Sequence, residues 1–290
     1  MNLRTRGTAF AAAGLAAMTL LGPLAATANA TTTTYDGTRA TNATKPQVVV
    51  AHMSQSRIRL SDDTVHAGRI LFRAVTNDRD HTLQLARLRN GYTLQQAGTD
   101  IPKALRGEVA AVNRVDTGIS FHGGVETHAS RPGSYSTVLT AGHYIVLDQG
   151  GDGLAMLSVT GRHVRRAAAP HHGTVTTFTY GFGSSPRTMA ANGWIRLTNR
   201  ADQPHFVEFQ RVKPGTTAAM VHKTFASDSQ STPSWALKVN FSSGVMSPGT
   251  AQVVHTSVPP GRYLLMCWWP DEESGMPHVL MGMWKLVTLG

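Results

Sequence analysis

Cysteine is almost absent: Cys267 is the only one in 290 residues. No intrachain disulfide can form, so the fold must rest on packing and hydrogen bonds. A lone thiol outside a reducing compartment is prone to oxidation, and only deep burial or metal coordination protects it. Charge is sparse and one-sided. Charged residues make up 15% of the chain, with 27 Lys and Arg against 17 Asp and Glu, for a net charge of +10. Apart from Arg162-His163-Val164-Arg165-Arg166 the basic residues are scattered. No stacking-aromatic motif accompanies them, so nucleic acid is excluded as an expected partner. An exported basic protein is instead drawn to anionic wall polymers or lipid headgroups. Long apolar runs are missing too, so no transmembrane segment is expected. No Ser/His/Asp order, phosphate loop or paired carboxylate motif stands out.

The N-terminus carries targeting signals. Arg4 and Arg6 precede the short apolar run Ala9 to Leu21, and Ala28-Asn29-Ala30 reads as a cleavage site. Residues 1–30 are therefore expected to be a secretory signal, with a start at Thr31 and an extracellular product. Residues 31–45, Thr-rich and polar, are expected to be a disordered leader.

The tail concentrates the chemistry. In Gly261-Arg262-Tyr263-Leu264-Leu265-Met266-Cys267, the residues Tyr263, Leu265 and Cys267 alternate and share one face of a strand. Ten residues separate Cys267 from His278, and four separate His278 from Met283. Sulfur donors beside imidazole suit copper, and a Cys and two His with a weak axial Met form the blue-copper set. The tail supplies three such donors, so a second His must come from upstream.

The order Gly261, Tyr263, Cys267, His278, Met283 resembles the cupredoxins, the blue (type 1) copper domains. His278-Val279-Leu280-Met281-Gly282-Met283 is most similar to the blue-copper loop of copper nitrite reductases. Thr198-Asn199 followed by His205 fits the family's first ligand. The resemblance, over residues 174–290, implies one type 1 copper held by His205, Cys267, His278 and Met283. Met276 and Met281 compete for the axial place. It also implies outer-sphere electron transfer with a redox partner the sequence does not name. In this family Asn usually follows the first ligand His; here it is Phe206. Oxidase or nitrite-reductase catalysis requires paired His-x-His motifs or a His before the Cys, and this chain has no His-x-His and places Met266 there. A non-enzyme is expected. The alternative is a copper-free extracellular scaffold of the same fold.

An internal repeat organises the remainder. Gly68 to Asn77, followed by His81, parallels Gly193 to Asn199, followed by His205; Gly142-His143-Tyr144 parallels Gly261-Arg262-Tyr263. Where the second copy has Cys267, the first has Asp148, and its ligand loop is replaced by Gln149 to Gly153. The expectation is an all-β chain of two tandem cupredoxin-like Greek-key β-sandwich domains, each with a short helical insertion. Residues 46–161 form the domain lacking ligands, 162–173 a linker, and 174–290 the domain with the copper site. Helices are expected after caps at Asp100 and Thr216.

Overall fold

The computed structural model describes residues 46–89, 91–164, 169–227 and 232–290. The expected signal (1–30) and leader (31–45), and residues 165–168 of the expected linker, lie outside the described residues. The first half runs β1 (Gln47–Ser54), β2 (Arg57–Leu60), β3 (Thr64–Thr76), β4 (His81–Leu88), α1 (Leu94–Ala104), α2 (Val109–Gly118), β5 (Ile119–Thr127), β6 (Gly133–Leu139), β7 (Gly142–Asp148) and β8 (Leu154–Val164). The second runs β9 (Thr174–Phe178), β10 (Gly181–Ser185), β11 (Thr188–Met189), β12 (Asn192–Asn199), β13 (Glu208–Val212), α3 (Ala218–Ala226), β14 (Ala236–Ser242), β15 (Ala251–Ser257) and β16 (Gly261–Met266). A 3-10 turn at His278–Met281 and β17 (Trp284–Leu289) close the chain. The architecture is all-β and sandwich-like, as expected.

Period-2 patterning builds the layers. In β3, Val65, Ala67, Ile70, Phe72 and Ala74 are buried, and polar residues alternate with several of them. In the second half β10, β9, β12 and β15 form one layer, and β11, β17, β16, β13 and β14 form the other. The repeated Gly-x-Tyr has a structural reason. Gly142 and Gly261 enter β7 and β16 at φ of 149° and 152°, a region that disfavours side chains. The tyrosines that follow are fully buried and tie back to the carbonyl four residues earlier, Tyr144 to Thr140 at 3.0 Å and Tyr263 to Pro259 at 2.6 Å. These corner bonds satisfy the hydroxyls and fix the same entry angle in both halves.

The helices differ from the local reading. Asp100 does not cap a helix. Thr93 does, in a reciprocal capping box with Gln96, and Asp100 lies inside α1, bonded to Arg114 of α2 at 2.7 Å and to the Tyr92 hydroxyl at 2.8 Å. The Asp-x-Pro pattern there reflects a tertiary ion pair and not a start signal. The cap of α3 is Thr217, one residue beyond Thr216, and Val221 of this helix is fully buried.

The two halves share hydrogen bonds. Strand β6 pairs antiparallel with β15, so one twelve-stranded ladder runs through both. Two buried glutamines cross the junction in opposite directions. Gln84 of the first half donates to the carbonyl of Val245 at 3.2 Å and accepts from its N–H at 2.7 Å. Gln252 of the second accepts from the Gly124 N–H at 2.8 Å. At the same place a Cβ on Gly244 would collide with the Gly124 backbone, so the two chains meet without side chains between them. Buried amides of this kind are specific because an unmade hydrogen bond is expensive there. Gln84→Leu strands the Val245 N–H and should lower unfolding stability by about 2–4 kcal/mol in urea titration. A loss under about 0.5 kcal/mol would show that the junction tolerates its removal.

Candidate metal centre

Strand β16 is buried on both faces. Tyr263 and Leu265 enter the main core, while Leu264 and Met266 pack with Val212, Val221, Trp235 and Val279 under α3. Cys267 follows on the core-facing side and is fully buried. From there the chain makes a closed loop. The Trp269 carbonyl accepts the His278 N–H at 2.9 Å, and the Cys267 carbonyl accepts the Val279 N–H at 2.7 Å. These two bonds set Cys267 and His278 side by side despite the ten residues between them. Gly282, at φ 101°, ends the 3-10 turn in a left-handed conformation, and Met283 then returns its N–H to the His278 carbonyl at 3.0 Å.

The segment that carries the third donor, His205, is fixed by Asn199 at the end of β12. Its buried amide donates to the carbonyls of Gln203 and Met246, each at 2.8 Å, and accepts the Ala201 N–H at 2.9 Å. His205 then exchanges both backbone bonds with Met246, at 3.0 and 2.7 Å.

The structure brings the sequence-selected donors together. The Nδ1 atoms of His205 and His278 lie 3.1 Å apart, and the Cys267 Sγ lies 3.5 Å from the first and 3.8 Å from the second. Among the described residues this is the one grouping of three metal-ligating side chains whose donor atoms converge. A first-row ion at about 2.0 Å from nitrogen and about 2.3 Å from sulfur needs donor separations of roughly 3.3–3.7 Å, and the observed 3.1–3.8 Å brackets that range within a few tenths of an ångström. All three donors are at most 1% exposed. Met283 is fully buried beside them, whereas Met276 is exposed and Met281 half-exposed. A thiol, two imidazoles and a neighbouring thioether form a type 1-like copper site.

Electrostatics favour the neutral ligands. Burial pushes His205 down to about 3, helped by His278, and burial pushes His278 down to about 4 against the pull of Asp271 and Asp202. Burial raises the Cys267 thiol to about 12, although backbone N–H groups of Phe206 and Trp269 work in the opposite direction. Phe206 thus supplies a backbone donor at the position where the related loop usually has Asn.

Sequence reasoning missed the groups behind the ligands. The Nε2–H of His278 donates to the Gln203 Oε1 at 3.0 Å, which leaves Nδ1 as the lone-pair nitrogen. The Glu272 N–H at 3.2 Å fixes that amide's orientation, and Gln203 Nε2 donates to Asp271 at 3.1 Å. Tyr180 donates to the same Asp271 oxygen at 2.7 Å and sets its ring edge-on to His278. Burial pushes Asp271 upward, but bonds from Ser274, Tyr180 and Gln203 outweigh it and hold the carboxyl well below its usual range. Tyr180 is the one described non-glycine residue at positive φ, 59°, in the β9–β10 turn. No local signal pointed to it. Asp271 is itself buried and organises the loop through these bonds.

In the first half, His81 occupies the position parallel to His205. Its Nδ1 meets Asp148, the counterpart of Cys267, at 2.6 Å, and its Nε2 meets Asp78 at 2.7 Å. Both ring nitrogens are taken up by carboxylates.

No protein-family model and no curated protein matches the chain. Among solved structures, the reduced auracyanin of Roseiflexus castenholzii is 16% identical, over 40% of this chain and 94% of that one, with a TM-score of 0.25. Auracyanin A of Chloroflexus aurantiacus, described as a "blue" copper protein, is 15% identical over 40% and 100%, at 0.29. A copper-containing nitrite reductase of Thermus scotoductus is 11% identical over 84% and 61%, at 0.23. Likenesses this loose support no function by themselves.

The depressed histidines make the metal-free chain acid-sensitive. Below about pH 6.5 the unfolded chain binds protons that the folded site refuses, so stability is full above that pH and falls as pH drops towards about 4. His205→Gln should flatten this slope in chemical unfolding between pH 4 and 7. An unchanged slope would mean that the imidazoles are charged in the folded state.

Proposed function

We propose that the chain is an exported copper protein of the cupredoxin type that binds one ion in its second half and transfers single electrons without chemistry on a substrate. The observation that supports this best is the convergence of two imidazole nitrogens and a thiol sulfur within 3.1–3.8 Å in a fully buried pocket. His205, Cys267 and His278 would hold the ion, with Met283 as the weak axial donor. Copper, when bound, supplies a one-electron couple.

The protein's part is to keep its ligands where they are. His205 and His278 are fixed through both their N–H and carbonyl groups and Cys267 through its carbonyl, and His278 is also held through Gln203. A donor set that moves little between two oxidation states lowers the cost of outer-sphere transfer. Burial of all four donors would leave a bound ion little access to a substrate molecule, which favours electron transfer over oxidase or reductase catalysis. The first half, with its His81–Asp148 pair and no sulfur donor, is proposed to carry no copper, since that ion prefers sulfur in its reduced state. The net charge of +10 supports an anionic wall polymer, membrane surface or acidic redox protein as partner.

Copper titration of the mature protein should give one ion per chain and an intense visible band arising from the thiolate. Cys267→Ser should abolish the band. Met283→Leu should retain copper and raise the reduction potential, because losing a donor to a more apolar neighbour disfavours the divalent state. Wild-type protein that stays colourless with excess Cu(II) would overturn the electron-transfer reading in favour of a copper-free scaffold.

A further inference from the structure

The helix pair of the first half does not pack only on its own domain. The pair and the strand that continues from it meet the Cys267–His278 loop of the second half at three points. The Asn113 amide of α2 donates to the Glu272 carbonyl at 2.8 Å while also holding the Val109 carbonyl at 3.0 Å. Gly107, in the α1–α2 turn, sits against Gly275 so closely that a Cβ on either would overlap the other's carbonyl. Both are at positive φ, 81° and 68°, so each turn tip is shaped for the other. Phe121 of β5, the strand that continues from α2, packs edge-on against the Trp269 indole with ring centroids 5.4 Å apart.

These contacts fall on the residues that position a ligand. Trp269 carries the carbonyl that holds the His278 N–H. Glu272 carries the N–H that orients Gln203, which in turn holds the His278 ring. Gly275 donates to the Asp271 carbonyl inside the loop at 2.8 Å. Displacing the loop's outer edge therefore displaces His278 through its backbone and through its ring partner together. The ligand loop is long, and an unbraced loop of this length would have many conformations of similar energy.

We infer that the α1–α2 pair of the ligand-free first half is the brace that sets the geometry of the metal-ligand loop, with Gly107 and Asn113 as positioning residues for His278. This gives the first half a role in the metal site that needs no metal of its own. The inference rests on the copper reading for its spectroscopic consequence, but not for its structural one.

The test uses the full chain with Asn113→Ala and, separately, Gly107→Ala, whose added Cβ would overlap the Gly275 carbonyl, beside Ile58→Ala as a control. Ile58 is a buried residue of β2, which pairs with β1 alone, so its loss weakens the first half without touching the loop. In metal-free protein, hydrogen exchange of the Gly275 and His278 amides should quicken at least tenfold in the Asn113 and Gly107 variants and not in the control. In copper-loaded protein, the same two variants should change the visible band ratio and the copper hyperfine splitting, again unlike the control. Asn113→Ala truncates an exposed side chain and removes its bond to the loop, so it should loosen the loop with little loss of global stability, a pattern that general destabilisation does not produce. Wild-type exchange rates in both variants, or equal acceleration in Ile58→Ala, overturns the brace. If wild-type protein takes up no copper, the functional reading fails and the exchange measurement still decides the inference.

Discussion

Burial of β16 on both faces is the constraint from which the rest follows. A strand flanked by core on one side must be covered on the other, and α3 with Trp235 supplies that cover. Once both faces are sealed, the residue after the strand has no route to solvent, and Cys267 ends inside the protein. Its carbonyl and that of Trp269 then receive the returning chain, which brings His278 to the sulfur. The upstream imidazole arrives on a loop whose shape is set by one buried Asn199. Three donors from distant sequence positions thus converge through backbone hydrogen bonds, and side-chain flexibility has little part in it.

The metal-free arrangement is costly. Two neutral imidazoles and a protonated thiol are buried within 4 Å of one another, and the Nε2 of His205 has no acceptor. A polar cluster of this kind lowers stability relative to an apolar core. An ion that binds the folded chain and not the unfolded one offsets this cost by mass action. The first half shows the other solution to the same geometry. There the sulfur position is Asp148, and a carboxylate–imidazole bond satisfies the equivalent pair without an ion.

Much of the architecture was legible because it depends on local patterns. The alternation of Tyr263, Leu265 and Cys267 placed the thiol on one strand face with two residues that prove to be core. The repeated Gly-x-Tyr marked the two corners. What was not legible depends on tertiary partners. Tyr180 carries no signal of its left-handed backbone, since that conformation is imposed by a turn and by Asp271. Gln84 and Gln252 look like ordinary strand polar residues until the two halves meet. Asp100 mimicked a helix cap because its partner, Arg114, lies on the neighbouring helix. The role of Asp271 was hidden because neither Gln203 nor Tyr180 is near it in sequence.

The central claim is that the converged donors receive copper without rearrangement, through one sulfur and two imidazoles. X-ray absorption at the copper edge of the loaded full-length protein tests it most directly. The account predicts one short sulfur and two nitrogen scatterers in the first coordination sphere, little changed in distance between the oxidised and reduced forms. A coordination sphere of nitrogen and oxygen alone, with no sulfur, would contradict it.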